Sequence, residues 1–323
     1  MAIERARAHA VQKPWGVADL RPWSRADHDG GRLIGEIWYE RSGSEPSAPS
    51  LLLKLLFTSQ PLSIQVHPDD AYAQSIGLAR GKTEAWYILS AATNARVALG
   101  LKERLAPGDL RAAVNDGSIA DLVAWRTVLP GDVVFVPAGT IHAIGAGLVI
   151  AEIQQRSDTT FRMFDFGRKR GLHIADAVAV ADTGPADGGP KPSRLTGERA
   201  LLASNPYFVL ERIELAPGSS SRLEAERETW LLVVSGSARV GNLDVATGDA
   251  VFAQSDCVDI GAGPEGVVGL VAYTGVGGPV PRLLQCPAHA SVAGAAPLPD
   301  RQVPTSHLHT QAGLLHGLAG ATP

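Results

Sequence analysis

The sequence predicts a mainly β protein: two jelly-roll barrels, the first with a small helical insertion. Short apolar or alternating segments recur at 32–40, 50–57, 62–67, 84–90, 95–99, 132–137, 148–154, 207–215, 229–235, 250–253 and 266–274. Gly, Pro, Asp and Asn separate them. With 35 Gly and 22 Pro in 323 residues, turns and short strands are expected to dominate over long helices. The chain also echoes itself. Glu84-Ala85-Trp86-Tyr87-Ile88-Leu89 resembles Glu228-Thr229-Trp230-Leu231-Leu232-Val233, and Gly131-Asp132-Val133-Val134-Phe135-Val136 resembles Gly248-Asp249-Ala250-Val251-Phe252-Ala253.

The two echoed elements lie further apart in the first copy, by close to the length of segment 103–126. That segment is therefore read as the insertion, with helices at 107–114 and 118–124. Ser118 is the candidate N-cap after the Asn115-Asp116-Gly117 break. A short helix is expected at 69–76, with Asp69 at its start and Gly77 ending it. The expected organisation is a metal-binding barrel at 1–182, a Gly/Pro/Asp/Ser-rich linker at 183–199, a metal-free structural barrel at 200–285, and a low-complexity tail at 286–323. His307 and His309 in the tail read as solvated.

Composition excludes several classes. The hydrophobic fraction of 45 % and charged fraction of 19 % are those of an ordinary globular chain. A net charge of −4 gives no reason to expect nucleic acid or an anionic membrane as partner. Two cysteines, Cys257 and Cys286, are too few for a disulfide framework. No apolar run reaches the ~18 residues of a membrane helix, and residues 1–11 lack a signal-peptide core, so a cytoplasmic monomer or homodimer is expected.

Three stretches carry the chemistry: Gln65-Val66-His67-Pro68, Lys82-Thr83-Glu84 and Pro137-Ala138-Gly139-Thr140-Ile141-His142. They offer one amide, two imidazoles and one carboxylate, a donor set suited to one divalent cation such as zinc. Side chains two apart on a strand share a face. That parity groups Ser63 with Gln65 and His67, and Lys82 with Glu84 and Trp86. A cation and a hydroxyl would then stand beside the metal ligands.

The spacing Gly131-x5-Pro137-x-Gly139-x2-His142 resembles the second motif of the cupin superfamily. The first cupin motif is present loosely, with Gln65-x-His67 in place of His-x-His and Glu84 coming 17 residues after His67 rather than a few. Gln65-x-His67-Pro68-Asp69-Asp70, Gly81-Lys82-Thr83-Glu84-x-Trp86-Tyr87, Pro137-Ala138-Gly139-Thr140-x-His142 and Glu152-Ile153-Gln154-Gln155-x-Ser157-Asp158-Thr159-Thr160-Phe161-Arg162 together resemble the type I mannose-6-phosphate isomerase family, in its compact bacterial form. Lys13-Pro14-Trp15-Gly16 and Gly35-Glu36-Ile37-Trp38 resemble its opening segments, so the likeness runs over roughly residues 10–280.

The resemblance implies a zinc-type site of Gln65, His67, Glu84 and His142, and a sugar-phosphate substrate. It implies Glu152 as proton shuttle, Arg162 as enediolate or phosphate stabiliser, and Ser63 and Arg168 as phosphate contacts. Lys82 is expected to polarise the sugar oxygens, or to act as acid/base if burial and the metal lower its pKa. The expected reaction is the interconversion of mannose 6-phosphate and fructose 6-phosphate through a cis-enediol. An isomerase of another aldose or its phosphate, a non-catalytic sugar-binding cupin and a cupin oxygenase stand as alternatives.

Overall fold

The structure is a computed structural model that describes residues 2–24, 32–42, 48–187, 189, 191–275 and 278–285. Three antiparallel sheets make up the fold. A six-stranded sheet runs in the order Arg7–Val17, Ile34–Glu40, Leu51–Thr58, Leu148–Gln155, Glu84–Ala91, Val133–Val136. A five-stranded sheet faces it, in the order Phe161–Phe164, Ile64–Val66, His142–Ile144, Arg96–Leu101, Val123–Thr127. A ten-stranded sheet holds the strands after residue 193. It also takes in Ala2–Arg5, which pairs with Ala250–Gln254.

Strand parity divides the core. Leu56, Trp86, Ile88, Val134 and Ile150 of the six-stranded sheet meet Val97, Leu99 and Ile144 of the five-stranded sheet, closing the first barrel. The alternate residues Leu55, Tyr87, Ala151 and Ile153 pack instead against Trp230, Phe252, Leu270 and Ala272. The six-stranded sheet is thus covered on both faces, which is why Leu51–Thr58 is buried throughout. A separate cluster containing Val209, Ile213, Leu231, Val233, Val251 and Tyr273 fills the second barrel.

Helices cover the outer face of the five-stranded sheet. Leu110, Val114 and Ile119 pack there with Ile64, Val66, Ala98 and Met163. The insertion forms helices Pro107–Asp116 and Ile119–Leu122, and the second stops short of the expected 124 because Val123 opens a strand. Ser118 makes no side-chain cap bond; its own N–H donates to Asp116 Oδ1 at 2.8 Å. The short helix Asp70–Ser75 starts as expected, with Asp69 accepting from Tyr72 N. Its end uses Gly77 at φ +83, a left-handed position that glycine adopts without strain. Helix Ile174–Val180, with Ala177 buried against the same sheet, was not anticipated.

The 183–199 stretch is tied to the fold: Leu101 N donates to Gly184 O, and Ser193–Arg194 pairs with Arg199–Ser204. The expected tail at 286–323, with Cys286, His307 and His309, lies outside the described residues. No helix among the described residues is long and apolar enough to cross a membrane.

Candidate active site

Two rungs of side chains point into the first barrel. Across the six-stranded sheet, Trp38 pairs with Lys54, Lys54 with Glu152, and Glu152 with Trp86. Across the five-stranded sheet, Arg162 pairs with Gln65, and Gln65 with His142. The parity that sends Leu56 and Ile150 inward also sends Lys54, Glu84 and Glu152 inward. His67 follows Val66 at the end of its strand, and Gly139 N donates to His67 O at 2.8 Å, lacing that end to the turn before His142.

His67, Glu84 and His142 form a cluster whose donor atoms all lie within 4.8 Å of one another, a spacing that could hold a metal ion. All three are buried. His67 Nε2 lies 3.5 Å from Glu84 Oε2, and His142 Nε2 lies 3.5 Å from Glu84 Oε1. Each Nδ1 faces a backbone carbonyl at 2.8 Å, Thr159 O for His67 and Thr140 O for His142. Those contacts assign the ring proton to Nδ1 and leave the Nε2 lone pairs facing the cluster, as in most imidazole metal sites. His67 Nε2 is buried and has no hydrogen-bond partner among the described residues. Gln65 joins the group through its side-chain amide, 3.3 Å from His142 Nε2. The residues present therefore fit a divalent cation.

Electrostatics follow from burial and neighbours. Burial, reinforced by Lys82, pushes the His67 imidazole down to about 3, so it stays neutral and able to ligate. Burial favours protonation of Glu84, but Lys82 and the two histidines outweigh it and hold the carboxyl well below its usual range. Burial and the nearby Glu84 push Glu152 up to about 7, with Lys82 and Lys54 opposing. For Lys82 the expectation of a lowered pKa is corrected. Burial does press it down, but Glu84 and Glu152 more than offset that and raise it above the normal lysine value. Its ammonium stands 2.9 Å from Glu84 Oε2. In the metal-free site Lys82 therefore carries its positive charge beside Glu84.

A cavity of about 400 Å³ opens beside the cluster. Gln65, Lys82, Glu84, Lys54 and Glu152 line it, together with Lys13, Glu36, Asp158, Arg162 and Arg170. Arg162 donates through Nη1 to Gly171 O at 2.8 Å, while its Nε is buried without a partner among the described residues. Burial, reinforced by Arg170, lowers the pKa of this guanidinium. Ser63 is set back from the cavity, its hydroxyl donating to Gln65 Oε1 at 2.8 Å. Arg168 also stands back. It binds Asp165 and donates to Pro61 O, with its guanidinium 5.8 Å from the Trp15 ring centroid. A larger cavity, about 720 Å³, lies among Glu198, Ser219 and Glu265, but no His, Lys or Arg lines it. It lacks the groups for this chemistry.

Sequence reasoning missed Lys54. It sits in Leu-Leu-Leu-Lys-Leu-Leu-Phe-Thr, is buried, and places Nζ 3.7 Å from Glu152 Oε1 and 4.4 Å from the Trp38 ring centroid. A lone lysine inside an otherwise apolar, doubly covered strand was the available signal. Lys13 and Glu36, paired at 3.1 Å, were likewise not weighed as cavity residues.

No family model matches the chain. It is 34 % identical over 228 residues to the Probable mannose-6-phosphate isomerase GmuF of Bacillus subtilis, an alignment covering 66 % of this chain and 71 % of that protein. The chain belongs to the mannose-6-phosphate isomerase family. Mannose-6-phosphate isomerase of Streptococcus mutans is 38 % identical over 205 residues, 61 % of this chain and 64 % of that protein. Mannose-6-phosphate isomerase ManA of Bacillus subtilis is 39 % identical over 181 residues, and there the chain spans about half of the relative's length. The crystal structure of mannose 6-phosphate isomerase from Bacillus subtilis superposes with a TM-score of 0.74 at 24 % identity, over 84 % of this chain and all of that one. A variant of phosphomannose isomerase from Salmonella typhimurium gives 0.67 at 15 %. These two likenesses show that the chain shares the fold of those structures.

Proposed function

We propose that the protein is a metal-dependent aldose–ketose isomerase that interconverts mannose 6-phosphate and fructose 6-phosphate through a cis-enediol. The observation that carries this is the position of Glu152. It is a buried carboxyl whose pKa is pushed up to about 7, between Lys54 and Trp86, beside the His67–Glu84–His142 cluster and in a cavity also lined by Lys13, Arg162 and Arg170. Membership of the family supports the same substrate.

His67, Glu84 and His142 would hold the cation, zinc by the nature of the donors, with Gln65 as fourth ligand once its amide presents Oε1. When bound, the cation supplies Lewis-acid polarisation of the oxygens on the two reacting carbons. Glu152 takes the proton from one of those carbons and returns it to the other, a task suited to a base poised near the working pH. Lys54 holds the Glu152 carboxylate in place and, with Lys82, supplies fixed positive charge for the enediolate. The guanidinium of Arg162, whose strand position pairs with Gln65, keeps its charge and stabilises the developing anion. Arg162, Arg170 and Lys13, all lining the cavity, supply positive charge for the phosphate. Arg168 stands beside Trp15 and binds Asp165, and Ser63 can hold the turned Gln65 amide by accepting from its Nε2.

A coupled isomerase assay on phosphorylated and unphosphorylated hexoses, before and after chelation, tests this reading, with the metal named by elemental analysis. Turnover of mannose 6-phosphate that disappears with the metal is expected. Inactivity on every phosphorylated hexose would refute the substrate, and sugar binding without turnover at full metal loading would make the protein a binding cupin.

A further inference from the structure

Two residues of the family-like motifs have no part in the chemistry above: Asp70, the last residue of Gln65-x-His67-Pro68-Asp69-Asp70, and Gln155, the last glutamine of Glu152-Ile153-Gln154-Gln155. They meet. Gln155 Nε2 donates to Asp70 Oδ1 at 3.0 Å, and the same oxygen accepts from Gly81 N at 2.8 Å. The other end of the Gln155 amide continues the chain, with Oε1 accepting from Thr83 N at 2.9 Å. Asp70 therefore grips both sides of Lys82, once directly and once through Gln155. Main-chain bonds complete the lattice. Lys82 N donates to Pro68 O at 3.0 Å, and Gln155 N donates to Thr83 O at 3.1 Å. The Thr83 hydroxyl accepts from Ala138 N at 3.1 Å, in the turn that leads to His142.

The close approach depends on Gly81, where an added Cβ would collide with the backbone of Pro68 and Asp69. Lys82, Thr83, Glu84 and Gln155 are all buried, and the Thr83–Gln155 bond is made away from water, where a lost partner is costly; the two bonds to Asp70 are partly buried. Glu84 is the first residue of its strand, directly after the gripped tripeptide. The phenol of Tyr207, from the second half of the chain, also faces Asp70.

The geometry points to Asp70 as a positioning residue that, through Gly81 and the Gln155–Thr83 bridge, holds Glu84 in line with His67 and His142 for metal binding. This role rests on the metal-site reading proposed above, and not on the identity of the sugar. Outer partners of ligating side chains typically change metal affinity by about ten- to a hundredfold.

The test is zinc affinity by chelator competition on the full chain, with a thermal melt of each variant. Asp70→Ala is expected to lose about tenfold or more in zinc affinity while still melting cooperatively. Asp70→Asn keeps an Oδ1 that can accept both N–H groups and is expected to restore the affinity. A structural role alone would lower the melting temperature of Asp70→Ala and leave its zinc affinity unchanged. That result overturns the assignment, as does an Asp70→Asn variant no better than Asp70→Ala. Should Asp70→Ala fail to fold, Gln155→Leu removes the Thr83 arm alone, and unchanged zinc affinity there is equally contrary. A wild-type protein that binds no zinc overturns the metal-site reading and this role together. Wild-type zinc binding without isomerase turnover overturns only the sugar assignment.

Discussion

Glu84 accepts a hydrogen bond from Trp86 Nε1 at 3.1 Å, and Glu228 accepts from Trp230 Nε1 at the same distance, yet the two pairs look into different interiors. Trp86 is part of the core of the first barrel, where Glu84 meets the two histidines. Trp230 belongs to the cluster between the sheets, and Glu228 accepts from Ser50 N at 2.6 Å and Leu51 N at 2.8 Å, at the head of the Lys54 strand. The sequence echo is thus real at the level of one bond and inverted in facing. In strands, a shift of one residue exchanges the two faces. One carboxylate joins a ligand cluster and the other clamps backbone.

Glu228→Ala is therefore expected to destabilise the fold without touching the metal. It leaves two backbone N–H groups and an indole without their acceptor, at a cost of about 1–3 kcal/mol each where they stay dry. A lowered melting temperature with unchanged metal content by elemental analysis is the expected pair of results. Loss of metal would contradict the division of labour.

His142→Ala should remove metal and activity together. His142 supplies one of three buried donors, and no other histidine or carboxylate among the described residues belongs to that cluster. Metal content after dialysis and turnover in the coupled assay should fall in step. Retained metal with lost turnover would move His142 from ligand to reacting group.

Arg162→Ala should keep the metal and lose turnover. The guanidinium lines the cavity and has an unpartnered buried Nε, but it is no member of the ligand cluster. Loss of a charge-stabilising donor commonly costs about 10²–10³ in kcat. Full activity at normal metal content would remove Arg162 from the mechanism.

The Glu152 carboxyl, pushed up to about 7 in the metal-free protein, must be deprotonated to act as base. Activity should therefore rise with pH along an acid limb, and a bound cation should move that limb lower because it favours the charged form. Lys54 also favours the charged form. Lys54→Met should thus shift the limb to higher pH, so that activity lost at neutral pH partly returns above it. A pH profile of kcat/KM in the variant checks the sign; a limb shifted to lower pH would contradict it.

Much of the site was legible before any coordinates. Gln65, His67, Glu84 and His142 stand in motif order, and strand parity grouped Lys82 with Glu84 and Ser63 with Gln65. What failed depended on partners distant in sequence. The direction of the Lys82 shift turns on Glu84 and Glu152, and the latter is 70 positions away. Arg168, expected to contact phosphate, and Arg170 stand two apart in the sequence and both bind Asp165, but only Arg170 reaches the cavity. Lys54 was hidden because a charge in an apolar strand gains meaning only when the opposite strand brings Glu152 to it. The barrels followed from turn chemistry and alternation, whereas the entry of Ala2–Arg5 into the ten-stranded sheet depends on pairing that no local pattern shows.

The central claim is that Glu152 moves the proton beside an intact metal site. Nuclear magnetic resonance of mannose 6-phosphate turnover in deuterium oxide, comparing wild type with Glu152→Gln at matched metal content, tests it most directly. Wild type should form fructose 6-phosphate, with solvent deuterium entering at the carbon that receives the proton whenever Glu152 exchanges it before returning it. Glu152→Gln keeps the shape but not the basicity, and should slow both product formation and deuterium entry by about 10²–10⁴. Turnover and deuterium entry at the wild-type rate in that variant would contradict the account.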